Sequence, residues 1–361
     1  MHSHLTHIRL AAVAALAIPA LAGAASPGSP PAASGRVVTA YVLSGDAVTP
    51  INTVTNKALK QIPIGGSSDA MVMTPNGKTV YVNGSLGGPG ILPISTATNK
   101  PGTSILVART PSALGVTPDS TTLYVVDQDS NDAIAVSTAT GHTVGFVPTG
   151  EAPVSIAITP NGTTGYIGVA DNTVTPFTVA TNTAGTPIKL RYIPFRFAIT
   201  PNSKTAYVDG GTNVVTVINT ATNMIRKRIQ VGAGAGDIVI TPNGRTAYVS
   251  TSAGVVPINT ATNRPGALIK IPGGDIAITP NGRTAYVAAG SGVVTPVNTA
   301  TNKPGKAIHV GTSASNIAIT PNGTTAYVTS GLGVTPINIA TNKPGKLITV
   351  AGGAGRIVIT P

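Results

Sequence analysis

The stretch Ile278–Val287, which reads ITPNGRTAYV, decides the fold of this chain. Two apolar runs with the alternation of β-strands flank its Thr-Pro-Asn-Gly turn. Proline presets φ near about −65° and the Asn-Gly pair tolerates positive φ, so this turn reverses the chain between two strands. The stretch therefore predicts a β-hairpin.

The hairpin recurs along the chain, and its tyrosine marks each copy. Eight of the nine tyrosines fall at this one position, at steps of 38 to 43 residues. They are Tyr41, Tyr81, Tyr124, Tyr166, Tyr207, Tyr248, Tyr286 and Tyr327. A large side chain fixed at one repeat position predicts packing between neighbouring units.

Each repeat unit contains four short strand-like runs. In the last complete unit they are Asn316–Thr320, Thr325–Thr329, Val334–Ile339 and Leu347–Val350. Four strands in about 41 residues is the period of a β-propeller blade, and apolar residues at helical spacing are absent. The sequence thus predicts an all-β propeller built from four-stranded antiparallel blades.

Six prolines occupy one position inside the third run of their units. They are Pro50, Pro93, Pro176, Pro257, Pro296 and Pro336. Proline cannot donate to a strand ladder, so it disfavours the interior of a sheet. Its fixed position predicts a backbone site where an N–H needs no partner, such as a bulge.

Three motifs resemble the YVTN-repeat β-propeller family. They are Asn281–Val287 (NGRTAYV), Val294–Asn302 (VTPVNTATN) and Lys303–Lys306 (KPGK), and Tyr327–Thr329 (YVT) carries most of the name motif. Ser330 replaces the final Asn of that motif. The resemblance covers residues 36–361. It implies a bacterial secreted or surface protein with a binding or surface-layer role, and some relatives of this architecture are sugar lactonases.

The number of blades follows from how the ring could close. The first run, Val37–Leu43, is a second strand, and the last run, Arg356–Pro361, is a first strand. If these two runs pair, the chain closes into eight blades and no sheet edge stays open at the closure. Eight blades are the prediction, and seven, which the family resemblance suggests more often, are the alternative.

Residues 1–24 have the pattern of an export signal. Arg9 precedes the apolar run Leu10–Ala22, and Ala22-Gly23-Ala24 offers small residues for cleavage. The run of 13 residues is short for a membrane anchor, which must cross roughly 30 Å of hydrocarbon. Residues 25–35 then form a flexible linker rich in Pro, Ser and Ala before the propeller at 36–361. The protein is expected to be secreted or at the cell surface.

The charges sort onto two faces of the predicted disc. The formal net charge is +12, and successive connections within a blade alternate between the faces. The face with the first-to-second and third-to-fourth turns is basic, and its candidate polyanion-binding residues are Lys57, Lys78, Lys100, Lys204, Arg245, Arg264, Arg283, Lys303 and Lys343. The same face also carries Lys60, Arg226, Lys227, Arg228, Lys306 and Lys346, against one acid, Asp119. The other face is mildly acidic.

The basic face predicts docking to a polyanion, such as an anionic envelope polymer or a surface protein. The alternative is that Lys and Arg keep a protein with few charges soluble. Aromatic residues do not interleave with the bases and the protein is expected to be exported, so nucleic acid is not the expected partner. The protein is expected to be a monomer.

A second candidate site lies at the start of the innermost strand of each blade. Five consecutive blades place polar side chains there, namely Arg196, Asp237, Asp275, Asn316 and Arg356. This ring predicts a polar ligand-binding pocket at the mouth of the central channel. The alternative is that Asp and Arg of adjacent blades pair with each other.

These patterns favour a non-enzymatic binding or scaffold propeller that needs no cofactor and has no metal site. The alternative is a metal-assisted, lactonase-like hydrolase at the channel mouth, for which Asp237, Asp275 and Asn316 are the adjacent oxygen ligands. Asp127-Gln128-Asp129-Ser130-Asn131-Asp132 resembles the start of a calcium loop, but Asp132 stands where that loop needs Gly. An ordinary strand turn is the prediction for this segment.

Overall fold

The computed structural model describes residues 37–66, 68–84, 90–107, 109–232 and 234–361. The predicted signal and linker lie outside these residues. The described chain forms eight antiparallel sheets of four or five strands each, and we number the blades 1 to 8 in the order of their tyrosines, Tyr41 to Tyr327. Within these ranges the structure contains no helix that is long and apolar enough to span a membrane.

Each blade is ordered from the channel outward as first, second, third and outer strand. For blades 1 to 8, the first strands are Ile357–Ile359, Met71–Met73, Pro111–Val116, Pro153–Ile158, Arg196–Ile199, Ile238–Ile240, Asp275–Ile278 and Ile317–Ile319. The second strands are Thr39–Ser44, Thr79–Asn83, Thr122–Asp127, Thr164–Val169, Thr205–Asp209, Thr246–Thr251, Thr284–Ala289 and Thr325–Ser330. The third strands are Ala47–Asn52, Ile91–Ser95, Asp132–Ser137, Thr173–Thr178, Val214–Asn219, Gly254–Asn259, Val293–Asn298 and Gly333–Asn338.

The outer strands are of two kinds. Blades 3 and 5 have continuous ones, Thr143–Pro148 and Met224–Gln230. In the other six blades the outer strand is divided, and its parts are Lys57–Ala58 with Ile62–Pro63, Lys100–Pro101, Thr183–Ala184 with Ile188–Lys189, Arg264–Pro265, Lys303–Pro304 with Ile308–His309, and Lys343–Pro344 with Ile348–Thr349. In blades 2 and 6 a single bridge, Ile91 to Ile105 or Val255 to Ile269, takes the place of the second part.

The third-strand prolines explain the divided outer strands. All six divided blades have the proline, and blades 3 and 5 have Ala135 and Val217 in its place. In blade 8 the Gly345 N–H donates to the Pro336 carbonyl at 2.7 Å, and the outer strand there bulges by one residue opposite the proline. The missing N–H therefore lies where the ladder is already irregular, and blades 3 and 5, which lack the proline, show the same one-residue shift after Ala135 and Val217. The predicted bulge is confirmed. The predicted fourth run, Leu347–Val350, contains the second part of the outer strand, Ile348–Thr349, and a first part, Lys343–Pro344, precedes it.

The Thr-Pro-Asn-Gly turn is held by its own side chains. In blade 7 the Thr279 hydroxyl bonds to Asn281 Oδ1 at 2.8 Å, which also accepts the N–H of Arg283 at 3.0 Å. Gly282 takes φ of 70°, where a side chain would be strained, and its N–H donates to the Thr279 carbonyl at 2.7 Å. The turn thus reverses the chain as the sequence predicts.

The ring closes between the two ends of the described chain. Ile357–Ile359 pairs antiparallel with Thr39–Ser44, with Val358 opposite Tyr41. The Leu43 N–H also donates to the Arg356 carbonyl at 2.8 Å. Blade 1 is therefore completed by the C-terminal strand, and the prediction of eight blades is confirmed over seven.

The repeated tyrosines lie buried between blades, as the sequence predicts. In seven blades the tyrosine hydroxyl donates to the Oδ1 of an asparagine in the next blade, at 2.5 to 2.7 Å. These asparagines end the Thr-Ala-Thr-Asn motif or its variant and have φ between 51° and 54° in most blades, a left-handed conformation that Asn tolerates. The seventh bond joins Tyr327 to Asn56 and so ties blade 8 to blade 1.

Candidate functional sites on the two faces of the disc

The basic face is assembled by two turns of each blade that lie side by side. The backbone after the third strand bonds to the backbone of the first-to-second turn, as in Thr299 N–H to the Arg283 carbonyl at 3.0 Å and Thr260 N–H to the Arg245 carbonyl at 3.0 Å. The turn asparagine fixes the base that follows it, because its Oδ1 accepts that residue's N–H. The bases of both turns therefore share one end of the blade.

All nine candidate polyanion-binding residues are exposed. They come from six successive blades, 5 to 8 followed by 1 and 2, and we call them the basic crescent. Blades 3 and 4 interrupt the ring, since the equivalent positions there hold Thr121, His142, Thr163 and Thr183. The structure thus places the nine residues on one face with a gap of two blades.

Two of the five channel-mouth residues, Asp237 and Asp275, form links between blades. Asp237 Oδ2 accepts the N–H of Ile276 in the next blade at 2.9 Å, and Asp275 Oδ2 accepts that of Ile317 at 2.8 Å. Ser155 does the same with opposite polarity, because its hydroxyl donates to the Pro194 carbonyl at 2.6 Å. These side chains cap polar groups on the open edges of the innermost strands, which a buried backbone requires.

Direct pairing with Arg196, one form of the alternative that the sequence left open, is not what the two aspartates do. Within the described ranges no ion pair joins Arg196 to Asp237 or Asp275, and the buried Nε of Arg196 has no hydrogen-bond partner. These charged groups are nevertheless close enough to interact, because Asp237 raises the pKa of Asp275, whereas Arg196 and Arg356 lower it. Asn316 is half-buried, and its backbone N–H donates to Thr329 Oγ1 at 3.0 Å.

Asp209 belongs to this cluster, although the sequence analysis did not include it. It lies opposite Arg196 across the first hairpin of blade 5 and is fully buried. Its Oδ1 accepts the Gly211 N–H at 2.7 Å, while its Oδ2 has no partner in the described structure. Burial raises the pKa of Asp209 to about 7, against the opposing effects of that bond and of Arg196. The register of the predicted hairpin places Asp209 opposite Arg196, so the sequence could have identified it.

Burial also raises the pKa of Asp237 and Asp275, and the charge of Asp237 adds to the rise at Asp275. Burial lowers the pKa of Arg356, while Asp69 and Asp275 oppose that change. Within the described residues no three His, Cys, Asp or Glu side chains converge as a metal site would need. Of the predicted hydrolase ligands, Asp237 and Asp275 each have one oxygen already engaged by a backbone N–H.

The calcium-like segment is a strand turn. Asp127 is buried at the end of the second strand of blade 3, and its carboxylate accepts the N–H groups of Arg109 at 3.1 Å and Thr110 at 2.9 Å. Its pKa is lowered because these bonds outweigh burial. The carboxylate thus holds the incoming loop in place, as the prediction of an ordinary turn requires.

Comparisons with known proteins support the fold alone. The sequence matches no model of a protein family, and no curated protein matches it. Among solved structures, the dihydro-heme d1 dehydrogenase NirN in complex with DHE superposes with a TM-score of 0.76 at 13% identity, covering 91% of this chain and 77% of that one. Hydrazine synthase of Kuenenia stuttgartiensis gives a TM-score of 0.58 at 20% identity, covering 78% and 95%. The chain is an eight-bladed β-propeller. Membership of the YVTN-repeat family stays a prediction.

Proposed function

We propose that this protein is a secreted or surface-exposed binding propeller of the YVTN-repeat type that docks on an anionic cell-envelope polymer. The observation that carries the proposal is the basic crescent, in which nine exposed bases from six consecutive blades share one face. A scaffold that needed bases only for solubility would have no reason to restrict them to six blades.

The chemistry of the crescent favours a flexible polymer with repeated negative charges. The turn asparagines accept the backbone N–H groups of bases such as Arg245 and Arg283, so the points from which these side chains extend are fixed along an arc. Exposed ion pairs contribute about 0.2–1 kcal/mol each, so useful affinity requires several of them at once. A polymer that follows the arc meets this requirement, whereas a small anion does not.

The proposal is tested with two variants of equal net charge. The first changes four crescent residues, Arg245, Arg283, Lys303 and Lys343, to Gln. The control changes Arg109, Lys189, Arg191 and Lys270 to Gln, which are equally exposed but lie outside the crescent. Binding to polygalacturonate at low salt is measured by sedimentation or calorimetry.

The crescent variant should bind roughly tenfold or more weakly, as the loss of four exposed pairs predicts. The control should bind as the parent protein does. Equal losses in both variants would mean that only net charge matters, and no binding by the parent protein would refute the proposal. Duplex DNA as a second probe tests the expectation that nucleic acid is not the partner.

The lactonase-like alternative receives less support from the channel mouth. The two carboxylates that it needs are engaged in links between blades, and Arg196 and Arg356 offset part of their negative charge. Measuring lactone hydrolysis by the parent protein and by Asp275→Asn would detect such an activity directly.

A further inference from the structure

Blade 5 departs from the repeat where its chain enters the channel mouth. The connection that leads into its first strand, residues 190–195, reads LRYIPF. The corresponding connections into blades 6 and 7 are rich in glycine and read VGAGAG at 231–236 and IPGG at 271–274. The blade 5 connection also contains Tyr192, the one tyrosine outside the repeat position. A local break in an otherwise regular pattern is expected where a protein builds a site.

The unusual connection holds Arg196 in a fixed place. The buried hydroxyl of Tyr192 donates to the Val208 carbonyl in the second strand of the same blade at 2.8 Å. The Phe195 N–H donates to the Asp209 carbonyl at 2.9 Å. The backbone that leads into Arg196 is therefore anchored on both sides of the turn, so its side chain starts from a position that no ligand has to create.

The guanidinium of Arg196 has unused capacity for hydrogen bonds. It carries five N–H donors, and the described structure shows no hydrogen bond or ion pair from any of them, although the side chain is half-buried. Among the described residues only three buried side-chain N or O atoms lack a partner. Two of them are Nε of Arg196 and Oδ2 of the fully buried Asp209, on opposite strands of one hairpin. Such atoms are costly to leave unpaired, so the pair marks a place prepared for a polar group.

Two carboxylates of the next blades lie near this guanidinium. Burial raises the pKa of Asp237 and Asp275, and the charge of Arg196 opposes both changes. Within the described residues neither carboxylate forms an ion pair with Arg196, so each N···O separation exceeds about 4 Å. Asp275 accepts the Ile317 N–H through Oδ2, and its Oδ1 has no partner in the described structure. The mouth thus holds a donor and an acceptor of opposite charge that do not meet.

We propose that the channel mouth binds a small zwitterion of the α-amino acid type, whose carboxylate pairs with Arg196 and whose ammonium group donates to Asp275. The planar fork of a guanidinium matches a carboxylate, and an ammonium group supplies donors for a carboxylate oxygen. A simple anion would be repelled by Asp237 and Asp275, and a simple amine by Arg196 and Arg356. A zwitterion meets both charges and adds no net charge to the site.

This site lies on the face of the disc opposite to the basic crescent, so the inference does not depend on polymer docking. The experiment measures the binding of three compounds of similar size to the purified protein at neutral pH by calorimetry. L-Alanine carries both charged groups, propionate lacks the ammonium group, and ethylamine lacks the carboxylate. The comparison of these compounds on the parent protein needs no variant.

Three variants then locate the site. Arg196→Gln removes the guanidinium, and Asp275→Asn removes the charge while it keeps an oxygen that can accept the Ile317 N–H. Arg191→Gln is the matched control, because Arg191 is exposed in the same connection. Circular dichroism verifies that each variant is folded.

L-Alanine should bind to the parent protein, and propionate and ethylamine should each bind roughly tenfold or more weakly, because one charge-assisted bond is lost and one like charge is left facing the ligand. Arg196→Gln and Asp275→Asn should each weaken L-alanine binding by a similar factor, and Arg191→Gln should leave it unchanged. Absence of L-alanine binding at millimolar concentrations would overturn the proposal. Propionate that binds as well as L-alanine would also overturn it, in favour of a site for simple anions.

Discussion

The hydrogen bond that ties blade 8 to blade 1 should stabilise the whole ring. Tyr327 is fully buried, and its hydroxyl donates to Asn56 Oδ1 at 2.6 Å with the Thr53 carbonyl at 3.2 Å. Tyr327→Phe removes this donor and keeps the ring packing. Asn56 is exposed, so water can replace the lost partner, and the expected cost is the net value of one hydrogen bond, about 1 kcal/mol. Urea denaturation followed by circular dichroism measures it.

Blade 2 provides the control. Gly141 of blade 3 occupies the position where the other blades have the asparagine, and within the described residues the Tyr81 hydroxyl makes no hydrogen bond. Tyr81→Phe should therefore change the free energy of unfolding very little. Asn56→Gly recreates the blade 3 residue and keeps the left-handed backbone, and in this background Tyr327→Phe should cost almost nothing. If Tyr81→Phe costs as much as Tyr327→Phe, the effect is packing and the reasoning about the bond is wrong.

Three further predictions concern single blades and pH. Gly165→Ala should destabilise the protein by about 1–3 kcal/mol, because a Cβ there would lie 2.0 Å from Phe177 Cζ. Adding Phe177→Ile, which matches Ile218 at the equivalent position of blade 5, should restore most of the loss in urea melts. The pKa of Asp209 is 3.8 in the unfolded chain and about 7 in the folded protein, so the parent protein loses stability as pH rises between these two values. The free energy of unfolding of Asp209→Asn should therefore gain roughly 2–3 kcal/mol relative to that of the parent protein between about pH 5 and pH 8. A difference that does not change with pH would contradict this. Burial raises the pKa of Tyr124, Tyr207, Tyr248 and Tyr327 to about 12, so their contribution to stability is complete below about pH 10 and is lost as pH rises through 12. In an alkaline titration, phenolate absorbance should therefore rise over the same pH range in which the circular dichroism signal is lost. Two separate transitions would argue against buried tyrosines.

Much of the fold could be predicted because each blade repeats the same local signals. The Thr-Pro-Asn-Gly turn specifies the hairpin, the tyrosine spacing counts the blades, and the pairing of Val358 with Tyr41 completes the ring as predicted. The only sequence signal for the divided outer strand was the proline inside the third strand. Its bulge lies on the strand opposite Pro336, and a pattern within one strand does not show which partner absorbs the irregularity.

The candidate sites were predictable in position and less so in contacts. The order of turns within a blade sufficed to place Lys303 and Arg283 on one face. Repeat alignment also found Asp237 and Asp275, but their bonds to backbone N–H groups of the next blade depend on how the blades are rotated against each other. Asp209 could have been found by following the hairpin register outward from Tyr207 to the residue opposite Arg196.

The measurement that tests the central claim most directly is the salt dependence of polygalacturonate binding. Docking through the basic crescent predicts that the logarithm of the binding constant falls linearly with the logarithm of salt concentration. The slope should be markedly smaller for the variant that lacks the bases at Arg245, Arg283, Lys303 and Lys343, and unchanged for the control outside the crescent. Binding that is insensitive to salt, or slopes that are equal in both variants, would contradict the assignment of the basic crescent as the docking surface.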